Sequence, residues 1–323
     1  MVLLVTGEPK ESGKKTEVLD LGNLENECED LADFPRQTKD AAGGLIQGIP
    51  VICGGLSLTS EDLGTEPYGD CYKYQNGDWT FLRKMSQPRR QHGSISLSNG
   101  LYILGGQAEG SSLVSPMSFQ ASTELIGLEN NQALEDMPAE NSFFCRVRVT
   151  DTTLFYSGGL GSGFVISKAS YLKRSHFEQG WTRNQDMWQA RLAHMCGVLN
   201  VQGKPFIVVT GGTDFNDVLK STEIMDLSSS VYAHWVAGPD LPVPIVAGSM
   251  IASPRHDALY VLGGNQDSQE RNSFNEKIFK LSCSDTDIQN CQWKEVAKKL
   301  KYLRTSHVAM KIPRNLTFCS PSN

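Results

Sequence analysis

An all-β fold is predicted for the 323-residue chain: a six-bladed β-propeller of four-stranded antiparallel blades, closed by pairing of its C-terminal and N-terminal strands. Three observations carry that expectation. A short apolar run ending in two glycines occurs five times. Alternating runs of strand type follow each copy. The two chain ends carry strand runs that lack partners within their own end.

The glycine-paired runs are "PVICGG" at 50–55, "LYILGG" at 101–106, "LFYSGG" at 154–159, "FIVVTGG" at 206–212 and "LYVLGG" at 259–264. Their first glycines stand at 54, 105, 158, 211 and 263, so the intervals are 51, 53, 53 and 52 residues. A sustained period of this size marks a repeat architecture. After each pair comes a variable polar loop, then an alternating run: "DCYKY", "STELIGL", "KASYL", "STEIMDL" or "EKIFKL". A further run follows, four times with tryptophan: "DWTFLRKM", "GWTRNQDM", "HWVAGPDL" and "QWKEVAKKL". Period-2 alternation bounded by Gly, Asn and Asp reads as strand, and four strands of this length cannot bury both faces alone. Stacked radially, such sheets form a propeller. The glycines allow backbone geometry and close approach that a Cβ would forbid, and the tryptophans plug the gaps between blades.

This repeat resembles the kelch motif over almost the whole chain. It departs from the pattern at Gln132–Ala133 and at Cys28, where tryptophan is expected. "VLLVTGE" at 2–8 matches a second strand, and "RTSHVAMKIP" at 304–313 matches a first strand with no second to follow. The two ends are therefore expected to share blade 1, from 1–31 and 304–313. Blades 2 to 6 would occupy about 40–86, 92–138, 144–187, 194–242 and 247–300, as one domain over 1–323. Closure of this kind removes exposed strand edges.

Composition narrows the function. The net charge is −6 with basic residues scattered, which argues against an electrostatic grip on nucleic acid. No run approaches the roughly 18 apolar residues of a membrane span, and "MVLLVTGEPK" has no signal-peptide pattern. Eight cysteines and the "NLT" acceptor at Asn315 favour an oxidising compartment, so a secreted protein is expected, with a cytoplasmic one as the alternative. Cys283 and Cys291 bracket a polar turn and are expected to pair. Cys53 with Cys71, and Cys28 with Cys319, are further pairing candidates; Cys145 and Cys196 are expected to be buried thiols.

Loops joining second and third strands should emerge beside the blade-to-blade connections. They span 56–69, 107–121, 160–166, 213–220 and 265–275, and each holds an aromatic: Tyr68, Phe119, Phe164, Phe215 and Phe274. Binding residues concentrate on such loops. An R-x-x-H pattern opens three blades, at Arg89/His92, Arg191/His194 and Arg304/His307, with Arg36 and Lys39 as a looser fourth. Arg90, Arg191 and Arg304 are candidates for an anionic ligand, since guanidinium forks suit carboxylates. The three histidines suggest a metal site, set against a structural role. No catalytic motif for hydrolase, metalloprotease or nucleotide chemistry occurs. The expected function is non-catalytic protein binding by the loops, without cofactor. The alternatives are a metal-dependent propeller enzyme, an oxidase or sugar-modifying one with its site in the central channel, and an actin-binding protein. The resemblance implies the oxidase and actin-binding readings, since some kelch relatives are copper oxidases and some bind actin.

Overall fold

Each glycine-paired run forms the second strand of an antiparallel sheet in the computed structural model, which describes residues 1–59, 66–112, 115–174, 180–227, 234–267, 273–283 and 287–321. Blade 2 consists of Ala42–Ile46, Ile49–Cys53, Asp70–Gln75 and Asp78–Lys84. Blade 3 has Gly93–Leu97, Gly100–Leu104, Thr123–Ile126 and Asn131–Leu134. Blade 4 has Cys145–Thr150, Thr153–Ser157, Ser170–Arg174 and Thr182–Arg183. Blade 5 has Met195–Val201, Lys204–Thr210, Thr222–Asp226 and Trp235–Ala237. Blade 6 has Ser249–Ala252, Ala258–Leu262, Lys277–Cys283 and Cys291–Lys299. In each the strands neighbour one another in chain order. The fold is a six-bladed β-propeller.

Local sequence explains the hairpins. Gln47–Gly48, Asn76–Gly77 and Gln202–Gly203 are two-residue loops with both φ values positive. That is the turn whose twist matches the flanking strands, and glycine in second place lowers its cost. The second strands are buried on both faces, as in Leu101–Leu104 and Leu259–Leu262, which explains their unbroken apolar runs.

The strands fall into two compact units, Met1–Ser142 with Lys301–Asn323, and Phe143–Leu300. In the first unit Val2–Val5 pairs with Val308–Lys311 on one side and Thr16–Leu19 on the other. Leu3, Leu4 and Val5 are fully buried. Blade 1 is thus built from both chain ends. Its ladder has three strands. Outside it, Asn26–Cys28 pairs with the tail strand Cys319–Pro321, and the Val18 amide is held by the Asp30 carboxylate at 3.3 Å.

Tryptophans seal neighbouring blades within each unit. Trp79 Nε1 donates to the Ala32 carbonyl at 3.0 Å and Trp235 Nε1 to the Gln185 carbonyl at 2.9 Å. Trp293 is buried with blades 5 and 6 in one apolar cluster. Trp181 is half-buried and meets Tyr156 edge-on, with ring centroids 4.8 Å apart.

Four disulfides join all eight cysteines. Cys28–Cys319, Cys53–Cys71 and Cys283–Cys291 each link directly facing strand positions, with Cα atoms 3.9–4.0 Å apart. The expectation of free thiols at Cys145 and Cys196 is corrected: they are bonded. Both sit at the start of first strands in adjacent blades of the second unit, with Cα atoms 5.8 Å apart, so burial there brings two sulfurs into reach.

Deleting residues 304–323 strips Val308–Lys311 from Val2–Val5 and leaves a long, apolar, unpaired edge. The truncated protein is expected to aggregate or oligomerise, as measured by light scattering. A monomer with unchanged melting temperature would contradict the closure.

Candidate interaction face

The residues before each first strand share one backbone signature. A non-glycine residue with positive φ stands there in every blade: Asp40, Gln91, Phe143, Ala193, Ala247 and Ser306. This register places Arg89, Arg191 and Arg304 two residues earlier and their histidines one residue later. Thr38, Asn141 and Ile245 occupy the arginine position in the other blades, so Arg36 and Lys39 are out of register with the motif.

Arg89, Arg191 and Arg304 have no exposed surface. Arg191 Nη1 donates to the carbonyls of Gly211 (2.8 Å) and Ser221 (3.1 Å), and Nη2 to Glu223 Oε1 (2.9 Å). Arg89 repeats this with Gly105, Ser122 and, at 3.6 Å, Glu124. Arg304 repeats it with Thr6, Lys15 and, at 3.7 Å, Glu17. Each glutamate also accepts from the connection preceding its arginine: Glu223 from the Trp188 amide (2.7 Å), Glu124 from the Ser86 amide (3.0 Å), Glu17 from the Lys301 amide (2.7 Å). Burial lowers the pKa of all three arginines, and the facing glutamates oppose that shift. Arg191 and Arg304 are therefore corrected as ligand candidates, because their donors are turned inward and no solvent reaches them. Arg90 is half-buried, its Nε donating to Gln107 Oε1 at 3.2 Å.

The histidines explain four of the paired glycines. A Cβ on Gly54 would fall 2.7 Å from His92 Cε1, and one on Gly106 would fall 2.6 Å from His92 Cβ. Gly158 and Gly212 flank His194 in the same way, at 2.5 and 2.7 Å. His92 and His194 are thus each packed against glycines of two adjacent blades, and a Cβ on Gly7 would fall 2.9 Å from His307 Cβ. His194 Nε2 lies 3.1 Å from Ser157 Oγ. Burial, then the nearby Arg304, depresses the His307 pKa to about 3; burial and Arg191 hold that of His194 well below its usual value. Among the described residues no group of three His, Cys, Asp or Glu side chains is placed to hold a metal.

The loop aromatics divide. Phe119 is 8 % exposed and closes a hairpin from Gln107–Ser112 to Ser115–Phe119, so it is a plug and is corrected as a contact residue. Phe274 is half-buried, bridged to Asn265. Tyr68 is half-buried beneath the Arg36 guanidinium, 4.7 Å from its ring centre. Phe164 and Phe215 are 59 % and 53 % exposed.

The second unit also holds a third exposed aromatic that sequence reasoning missed, Trp188, at 62 %. It lies on the connection between blades 4 and 5, not on the outer strand where the repeat puts tryptophan. That connection is bonded to both neighbouring loops. The Arg191 amide reaches Ser167 and its carbonyl accepts from Gly159; Leu192 exchanges backbone bonds with Thr213, and Gln189 Nε2 meets Asp214 at 3.5 Å. Phe215 sits at φ 77° in a turn fixed by Asp214 Oδ1, which accepts the amides of Asn216 and Asp217 at 3.0 Å. Those amides, Asp217 first, hold the Asp214 carboxyl below its ordinary pKa. Phe164 sits at φ 59°.

No family model matches the chain, and no curated protein sequence matches it. Among solved structures it is similar to YjhT, with a TM-score of 0.67 at 14 % identity, over 87 % of this chain and 89 % of that one. This likeness concerns the fold.

Glu223→Gln leaves the Arg191 charge buried without its counter-ion and is expected to cost about 3–5 kcal/mol, read by urea denaturation. The double change Arg191→Met, Glu223→Leu should recover most of it. The depressed His307 makes the unfolded chain bind the extra proton, so stability falls as pH drops from the usual histidine value near 6.5 toward about 3. The slope approaches ~1.4 kcal/mol per pH unit. Glu17, raised chiefly by burial, contributes stability that is lost as pH rises through its folded value, so it opposes this trend at the acidic end. His307→Gln should flatten the decline between about pH 6.5 and 5 in the same denaturation experiment.

Proposed function

We propose that this chain is a kelch-type protein-binding module of the extracellular space, and that Phe164, Trp188 and Phe215 anchor its partner. The observation that supports this reading best is the pair of exposed phenylalanines held at positive φ. A bulky residue in that region is costly, and strained, exposed positions cluster at functional sites. Three large exposed aromatics, on a connection and on the two loops bonded to it, suit an interface whose energy resides in a few anchors. Rigid presentation keeps the ordering cost of binding small.

Four disulfides are compatible with an extracellular location. Asn315 is exposed in the turn Arg314–Leu316, within reach of a glycosyltransferase, and we read it as a glycan site. No helix among the described residues is long and apolar enough to cross a membrane.

Changing Phe164, Trp188 and Phe215 together to serine is expected to abolish capture of the partner recovered by cross-linking with the native chain from extracellular fluid. Each anchor should account for at least ~2 kcal/mol of affinity. Phe215→Asn separates binding from folding. Asparagine tolerates positive φ, so melting temperature should hold or rise while binding falls. A triple variant that captures the same protein undiminished would overturn the assignment.

A further inference from the structure

A cavity of about 560 Å³ in the first unit opens among Lys14, Arg36, Gln37, Ser57, Thr59 and Tyr68. Its size lies within the range of small-molecule sites. Three separate chain segments bring these residues together: the loop after the second strand of blade 1, the connection to blade 2, and the loop after the second strand of blade 2.

Arg36 is the fixed part. Its Nη2 lies 2.7 Å from Asp70 Oδ2, and its guanidinium rests over the rings of Tyr68 and Tyr72, at 4.7 and 5.3 Å. A planar cation clamped by one carboxylate and two rings loses little freedom when its remaining N–H groups take a ligand. Asp70 does not turn the site acidic, because Lys84 Nζ also approaches it at 3.9 Å. Lys14 is the exposed part. It has no carboxylate partner among the described residues, whereas Lys15 and Lys39 nearby are paired with Asp33 and Glu8. Ser57 and Thr59 hydroxyls lie 2.9 Å from each other at the rim. The described lining residues include two cations, Lys14 and Arg36, and no carboxylate.

We infer that this cavity is a binding site for a small oxyanion ligand, bearing carboxylate or sulfate groups, with Arg36 as the oriented fork and Lys14 as the closing charge. The inference is independent of the exposed aromatics in the second unit.

Isothermal titration of the full chain tests it, with sodium citrate and sodium sulfate as probes against sodium chloride of matched ionic strength. Saturable binding with Kd of about 1 mM or tighter is expected for at least one probe, and the stronger of the two identifies carboxylate or sulfate as the preferred group. Lys14→Gln should weaken it by about tenfold, a loss of ~1.4 kcal/mol. Arg36→Lys, which keeps the charge but removes the fork, should weaken it too. Lys204→Gln, at the exposed start of a strand in the second unit, should leave it unchanged. Heats no larger than those of chloride, or Lys14→Gln binding like the native chain, would overturn the proposal.

Discussion

A buried guanidinium that spends its donors on two backbone carbonyls and a carboxylate is the contact on which this repeat depends. Arg89, Arg191 and Arg304 each span from a blade-to-blade connection to the end of a second strand and the start of a third. The backbone of the same residue serves the blade before it, as where the Arg191 carbonyl accepts from Gly159. Burying an ion pair brings little net stability over apolar packing. What the pair supplies is position: its Nη donors and carboxylate oxygens tie connection, loop and strand to one placement. The loop bases are thereby fixed, and the loops above them can vary.

The contact recurs in every second blade. Blades 1, 3 and 5 hold arginine, histidine and a third-strand glutamate, while Thr38, Asn141 and Ile245 stand in for arginine in the others. The glycine pairs nevertheless persist in blades 2, 4 and 6. His92 and His194 are each packed against one glycine of their own blade and one of the blade before, so both positions must lack side chains. The chain is read most economically as three two-blade repeats.

Blade number, strand order and the shared terminal blade were legible because glycine pairs and alternation are local signals. The three facing cysteine pairs were legible for the same reason, since strand register fixes what faces what. Cys145 and Cys196 were not, because their bond joins different sheets, and only packing shows how near two first strands come. The fate of Arg191 and Phe119 was equally hidden: an arginine fork and a loop phenylalanine look alike in sequence whether turned inward or outward. A signal for the arginines did exist. The Thr-Glu pair in "KTEVLDL", "STELIGL" and "STEIMDL" occurs in the same alternate blades as R-x-x-H, and that coincidence predicts ion pairing. Trp188 escaped notice because the repeat draws attention to outer-strand tryptophans.

The tail of the chain crosses blade 1 from its first strand to its outer edge, where Cys319 is bonded to Cys28. Tension applied beyond residue 319 therefore does not travel back into Val308–Lys311. It passes through the sulfur bridge into Asn26–Cys28, bypassing the ladder that closes the blade. Peeling that ladder strand by strand from its C-terminal end requires the bridge to be cut first. Under oxidising conditions blade 1, assembled from two distant pieces of sequence, is held by a covalent bond as well as by its ladder. Reduction leaves the ladder alone to hold it.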